Sequence, residues 1–253
     1  MTAPHGAAHR MTALVTGATG GMGLAIARRL THEGARVMLC ARDPERAAEE
    51  ARALHTSWHA GDLTAPETAR TALAEAARRF GRLDVVVAAA GTRGSTRDLG
   101  APMDGECGRI LDDNVTTLAN TLTAALPALT ESKGSFLALS SLAGLTGYPR
   151  FPYYTAAKAA TIGLVRAAAP QARRRGVRLR VLCPSFTATP MTEDFAAELR
   201  HKGVPVQQPS RVAEAALCVL RSDGWDPVWT LTPGAPPRPY DFPPFAPLAE
   251  QPS

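Results

Sequence analysis

Tyr154 and Lys158 stand four residues apart in a segment, residues 154–166, that is rich in Ala and Leu and has Gly163 as its one breaker. On a helix this spacing puts a phenol and an ammonium on one face, within reach of each other. Tyr153, one position earlier, falls off that face. A neighbouring cation favours the phenolate, so such a tyrosine can exchange protons near neutral pH, where a free phenol with a pKa of about 10 does so poorly. Ser141 lies thirteen positions before Tyr154, at the end of the apolar run Phe136-Leu137-Ala138-Leu139, which reads as a buried parallel strand. Ligands of α/β sheets sit at such strand ends. A hydroxyl and an activated phenol converging there suit proton transfer to or from one substrate oxygen.

The segments around them fit that placement. Thr12-Ala13-Leu14-Val15 reads as a short strand, followed by Thr16-Gly17-Ala18-Thr19-Gly20-Gly21-Met22-Gly23 and then by an apolar helix through Leu30. Strand, glycine-rich turn and helix together form a phosphate-binding loop. Gly17 permits the turn, Gly21 lets backbone approach a pyrophosphate, and Gly23 lets the helix pack on the strand. Thr16, Thr19, Gly20 and Met22 complete the candidate cofactor contacts. The next strand, residues 36–41, ends in Ala41 and Arg42, where an NAD-preferring protein would carry an acid for the ribose hydroxyls. Arg42 suits the extra phosphate of NADP, whereas Asp43 could pair with Arg42 or accept a ribose hydroxyl.

Asp62 and Leu63 are placed to border an adenine ring, and the strand over residues 83–91 ends in Ala90 and Gly91, small enough for backbone to lie against a cofactor. Residues 92–108 read as loop. Asn114 falls among apolar helix positions and needs partners, local or in a polar relay. The strand over 177–183 closes at Pro184, with Thr187 and Thr189 just beyond, and the amphipathic stretch 192–208 suits a lid over a substrate. A helix over 211–220 and a strand over 227–231 follow. Pro170 is expected to kink or end the helix after Lys158, and the proline-rich tail, residues 233–253, is expected to lack regular structure. The alternation of strand and helix predicts an α/β, Rossmann-like doubly wound parallel sheet in a single domain over residues 12–232.

Composition narrows the partners. The 253 residues are 45% hydrophobic and 20% charged, and 28 Lys and Arg against 23 Asp and Glu give a formal charge of +5. Arginines are spread along the chain apart from Arg173-Arg174-Arg175, so no patch with aromatic partners points to nucleic acid. Cys40, Cys107, Cys183 and Cys218 are far apart, which fits neither a disulfide framework nor a zinc site, and suits a reducing compartment. His55 and His59 lack a third ligand, so no metal is expected. No apolar run is long enough to span a bilayer, and residues 1–11 read as a disordered leader, so a cytoplasmic protein is expected.

Over residues 12–219 the sequence resembles the short-chain dehydrogenase/reductase family. Its glycine loop is matched by Thr16, Gly17, Gly21 and Gly23, its adenine-side pair by Asp62 and Leu63, its helix asparagine by Asn114, its serine by Ser141 and its Tyr-x-x-x-Lys by Tyr154 and Lys158. The spacing selects Ser141 over Ser140. Two stretches depart from the family: Ala88-Ala89-Ala90-Gly91 replaces Asn-Asn-Ala-Gly, and Pro184-Ser185 replaces Pro-Gly.

The resemblance implies that Tyr154 exchanges the proton, Lys158 holds the nicotinamide ribose and lowers the Tyr154 pKa, Ser141 binds the substrate oxygen, and Asn114 holds a relay water. Thr187 and Thr189 would hold the carboxamide. The implied reaction interconverts a ketone and a secondary alcohol, with NADP(H) favoured and NAD(H) possible, in bacterial fatty-acid, polyketide or secondary metabolism. The substrate would be a small-molecule carbonyl or alcohol, mid-sized and partly hydrophobic, and the assembly a homodimer or homotetramer. An NAD-dependent alcohol dehydrogenase and an epimerase or dehydratase are the alternatives. A non-catalytic regulator would be expected to have lost Tyr154 or Lys158.

Overall fold

Seven strands form one parallel sheet: β1 (Thr12–Thr16), β2 (Arg36–Ala41), β3 (Ser57–Ala60), β4 (Val85–Ala88), β5 (Ser135–Leu139), β6 (Arg178–Pro184) and β7 (Val228–Leu231). Their spatial order is β3-β2-β1-β4-β5-β6-β7, with an antiparallel β8 (Arg238–Pro239) on the β7 edge. The computed structural model describes residues 10–95 and 105–243. The expected leader thus falls almost wholly outside the described residues, as do the middle of the 92–108 loop and the tail beyond residue 243.

The strands are apolar at nearly every position because helices cover both faces. Alternate residues of each strand serve opposite layers. Leu14, Met38, Val86, Phe136 and Val181 pack on α3 (Pro66–Phe80), α5 (Thr117–Ser132) and α7 (Pro152–Arg174). Their neighbours Val15, Val37, Val87, Leu137 and Leu182 pack on α1 (Gly21–His32) and α9 (Pro209–Arg221). Strand order reverses between β1 and β4, and such a switch point opens a crevice at the carboxyl ends of the strands.

The β1 and β4 ends are tied together there. Buried Thr16 accepts hydrogen bonds on its hydroxyl from the backbone N–H groups of Ala89 and Ala90, both at 3.1 Å. A Thr16→Val variant keeps the shape but leaves both donors without this acceptor. It is expected to lose about 2 kcal/mol of unfolding free energy in urea; an unchanged midpoint would show that the brace is dispensable.

Three expectations are corrected. α7 runs through Pro170 to Arg174. Pro170 and Arg166 are exposed, so water can take the carbonyl freed by the missing N–H, while Ile162, Val165 and Ala172 keep the helix packed. The tail is not wholly irregular, since Arg238 and Pro239 pair with Thr230 and Trp229, and the Tyr240 N–H donates to the Val228 carbonyl at 2.9 Å. Proline is tolerated in this strand because it lies on the sheet edge. The expected 92–108 loop ends early, at α4 (Glu106–Leu111).

Candidate active site

Pro152 opens α7 at a position where its missing N–H costs nothing. The helix then presents Tyr154 and Lys158 one turn apart, with the Lys158 Nζ 5.5 Å from the centre of the Tyr154 ring. Lys158 is buried and donates to the Leu139 carbonyl at 3.2 Å. Ser140 donates from its hydroxyl to the Lys158 carbonyl at 2.8 Å, fixing the helix to the end of β5. Ser141 follows at once, accepting from the Ala143 N–H at 3.1 Å and hydrogen-bonding Tyr154.

Asn114 arrives from the other side. It sits in a single π-helical turn, Asp112–Thr116, between α4 and α5, and such turns widen a helix locally and often mark functional positions. Its amide donates to the carbonyls of Thr92 and Ile110, each at 2.8 Å, while its Oδ1 is buried with no hydrogen-bond partner. A Cβ on Gly91 would lie 2.4 Å from that oxygen and 3.3 Å from the Lys158 Nζ. Only glycine fits there, and Asn114 and Lys158 flank it. Asn114, Ser141, Tyr154 and Lys158 are therefore brought to one place.

The electrostatics differ from the sequence expectation. Burial pushes the Tyr154 phenol up to about 12, against downward pulls from the Ser141 hydrogen bond and the Arg93 charge. Burial also drives Lys158 down from 10.5 to about 8. The expected lowering of Tyr154 is overridden, because removing water from the phenolate outweighs the pulls of the Ser141 hydrogen bond and the Arg93 charge. Near pH 7 Tyr154 keeps its proton.

A cleft of about 240 Å³ lies over the switch point, bordered by Gly17, Thr19, Arg42, Asp62, Ala90 and Gly91. Leu63 also borders it. Gly17 has φ +61°, and a Cβ on it would come 2.8 Å from Ala90 backbone. The backbone is thus bared where a dinucleotide's phosphates would lie, and the residues present fit that group. Gly20, Gly21 and Gly23 shape the turn into α1 without lining the cleft. Met22, Pro184, Thr187 and Thr189 instead border a second cavity, with Ser141 and Tyr154. The Pro184-Ser185 turn is closed by the Leu142 N–H on the Pro184 carbonyl at 3.0 Å and the Ser185 N–H on the Leu231 carbonyl at 2.9 Å.

At the adenosine end, Asp43 caps α2 (Pro44–Ala53), accepting from the N–H groups of Glu45 and Arg46 at 3.0 and 3.1 Å. Its carboxylate is thereby turned to the helix, and Arg42 pairs with Asp113 at 3.0 Å. Asp62 accepts from the Thr64 N–H and hydroxyl, which hold its carboxyl below the usual range. Asn120 bonds the Leu63 and Thr64 carbonyls and fixes the same turn to α5. Arg46, absent from the sequence reading, donates to the Thr19 carbonyl at 3.1 Å and brings a second cation to the glycine loop. His59 pairs with Glu75 at 2.8 Å, and no cluster that could hold a metal occurs among the described residues.

The second cavity, about 260 Å³, is walled by Tyr148, Phe151, Phe186 and Phe195. The segment expected to form a lid consists of a 3₁₀ turn, Pro190–Phe195, and α8 (Ala196–His201), returning to a bridge between Thr187 and Gln207. Arg93, the one charged residue bordering the cavity among the described residues, is not singled out by the sequence. Its guanidinium lies 4.2 Å from the Phe151 ring centre and 5.3 Å from that of Phe195. It also bonds the Met191 carbonyl at 3.0 Å and Asp194 at 2.9 Å, so it clamps the lid to the loop after β4. Its place two residues beyond Gly91, where backbone meets the cleft, was the available signal.

Comparison with known proteins agrees with this architecture. The family model described as short chain dehydrogenase matches residues 11–200. A 3beta-hydroxysteroid dehydrogenase of Mediterraneibacter gnavus is 31% identical over 74% of this chain and 70% of its own length. The ketoacyl reductase 1 named for the granaticin polyketide synthase of Streptomyces violaceoruber is 34% identical over 76% and 73%. The crystal structure of a 3-ketoacyl-(acyl-carrier-protein) reductase from Brucella melitensis, complexed with NADH, superposes with a TM-score of 0.78 at 24% identity, covering 83% of this chain and 90% of that one. With the glycine loop at the switch point and the Ser, Tyr, Lys and Asn convergence already in place, these matches mean that the chain belongs to the short-chain dehydrogenase/reductase family of oxidoreductases.

Proposed function

We propose that the chain is an NADP(H)-dependent reductase of a partly apolar ketone, acting through Asn114, Ser141, Tyr154 and Lys158. The observation that carries this reading is the contact of Ser141 with a protonated Tyr154 at the wall of an aromatic cavity. The bound nicotinamide supplies the hydride. Tyr154 donates its proton to the carbonyl oxygen, and Ser141 hydrogen-bonds that oxygen as charge develops on it. Lys158 would hold the cofactor ribose. The unpartnered Asn114 Oδ1, across Gly91 from Lys158, is the acceptor through which solvent returns a proton to the site.

Arg42 in the cleft and Arg46 on the glycine loop favour the phosphate of NADP, and Asp43, committed to capping α2, does not oppose it. Thr187 and Thr189 hold the carboxamide end. A role in ketoreduction within bacterial fatty-acid, polyketide or secondary metabolism draws on the kinship with the granaticin-named reductase. The same reading has the protein act in the cytoplasm as a homodimer or homotetramer without nucleic-acid or membrane partners. No helix among the described residues is long and apolar enough to cross a membrane.

The NAD reading draws on the Arg42–Asp113 pair, which already offsets one cation. Fluorescence titration with NADPH and NADH separates the two. Tighter NADPH binding is expected, weakened about tenfold or more by Arg42→Ala with NADH unaffected, since a charge-assisted bond is worth about 1.5–3 kcal/mol. Equal or tighter NADH binding, insensitive to Arg42→Ala, would overturn the NADP assignment.

A further inference from the structure

At the end of the sheet opposite Tyr154, where β6 begins, four arginines gather. Arg178 and Arg180 of β6 and Arg166 and Arg173 of α7 border a cavity of about 200 Å³ with Trp225 of the loop before β7. Arg180 is 1% exposed. Its guanidinium donates to the Val219 carbonyl at 2.6 Å, the Ser222 carbonyl at 2.7 Å and the Gly224 carbonyl, closing the end of α9. Its Nε is buried with no partner, and so is the Nε of Arg178. Arg173 and Arg178 lie 5.2 and 5.6 Å from the Trp225 ring centre, and Arg166 lies 3.5 Å from that of Phe242.

Among the described residues, none of Arg166, Arg173 and Arg178 forms an ion pair with a carboxylate. Asp223 and Asp226 support the Arg180 charge, while burial and Arg178 act against it. The cavity therefore keeps an excess of positive charge and two buried N–H donors without acceptors. Each orphan donor costs free energy, and crowded cations repel one another in a partly dry site. An anion would remove both costs. Guanidinium groups converge on it from two elements, and a phosphate group, with three or more acceptor oxygens, can meet donors from both at once.

We propose that this cavity is a second binding site, separate from the cofactor cleft and the substrate cavity, that takes a phosphate group. The phosphate is either the free ion or a monoester whose organic part rests against Trp225. Neither case depends on the reaction proposed above.

Titrating the full chain with inorganic phosphate and with phenyl phosphate, and following tryptophan fluorescence, tests it. Saturable quenching is expected, lost in Trp225→Phe and weakened about tenfold or more by Arg173→Gln or Arg178→Gln, while Arg42→Ala leaves it unchanged. Arg173 is on a helix surface, so its replacement separates binding from folding. Tighter phenyl phosphate binding assigns a phosphorylated organic ligand, and equal binding assigns the free ion. No saturation with either probe, or weakening by Arg42→Ala in place of Arg173→Gln, would overturn the proposal.

Discussion

Replacing Tyr154 with Phe is expected to lower kcat for ketone reduction by about a thousandfold, in the range of about 10²–10⁴ that a positioned proton donor supplies. Cofactor affinity should stay within about twofold, because Phe keeps the ring that lies over Lys158 and Ser141 keeps its bond to the Ala143 N–H. The loss would fall on kcat and kcat/KM together, as it does when an interaction made only in the transition state is removed. The phenol is held up at about 12, so it stays protonated across the neutral range and its own titration leaves reduction flat there. A break near pH 8, with activity falling above it, is expected from Lys158, whose ammonium loses its proton at about 8. Steady-state rates of the wild type and Tyr154→Phe from pH 6 to 10 check both statements. A variant with a tenth or more of wild-type kcat would remove Tyr154 from the reaction.

Much of this candidate site is legible in the sequence because its residues are tied to local geometry. Four-residue spacing on a helix, a glycine at a strand end and an apolar run that must be buried are properties of a few neighbouring residues. Arg93 was not legible for the opposite reason. It works through the Met191 carbonyl, Asp194 and two phenyl rings, each far away in sequence and brought close by the lid. Asp43 shows a third situation: the sequence put it beside Arg42, yet Pro44 behind it starts a helix whose first N–H groups need an acceptor, and that local demand prevails. The π-helical turn around Asn114 and the passage of α7 through Pro170 depend on packing, which outweighs propensity once an apolar face is buried. The direction of the Tyr154 shift is not legible in the sequence, because spacing reports which charge is near and says nothing about how much water is excluded.

That exclusion of water leads to the second large effect, at Lys158. Its ordinary pKa of 10.5 applies in the unfolded chain and about 8 in the fold. Between those values the unfolded state binds more protons, so stability must rise with pH across that window. The gap corresponds to about 3 kcal/mol at 1.36 kcal/mol per unit, withheld at pH 7 and recovered as pH climbs past 8. Tyr154 has the opposite sign: its folded value is raised from 10.0 to about 12, so its contribution is lost only as pH climbs above 10. Urea unfolding of the cofactor-free protein between pH 7 and 10 should therefore show the wild type gaining on a Lys158→Met variant by up to about 3 kcal/mol. At pH 7 that variant should be the more stable of the two. If the proposed function holds, the same substitution should weaken NADPH binding about tenfold and reduce kcat/KM about a hundredfold or more, since it would remove the proposed charge-assisted contact of about 1.5–3 kcal/mol at the ribose along with the proposed proton relay. Parallel stability curves for the two proteins over this range would mean that Lys158 is not held against its charge. A stable but inactive variant with the predicted slope would show that the fold gives up stability at Lys158 to keep an ammonium where the proposed reaction needs one.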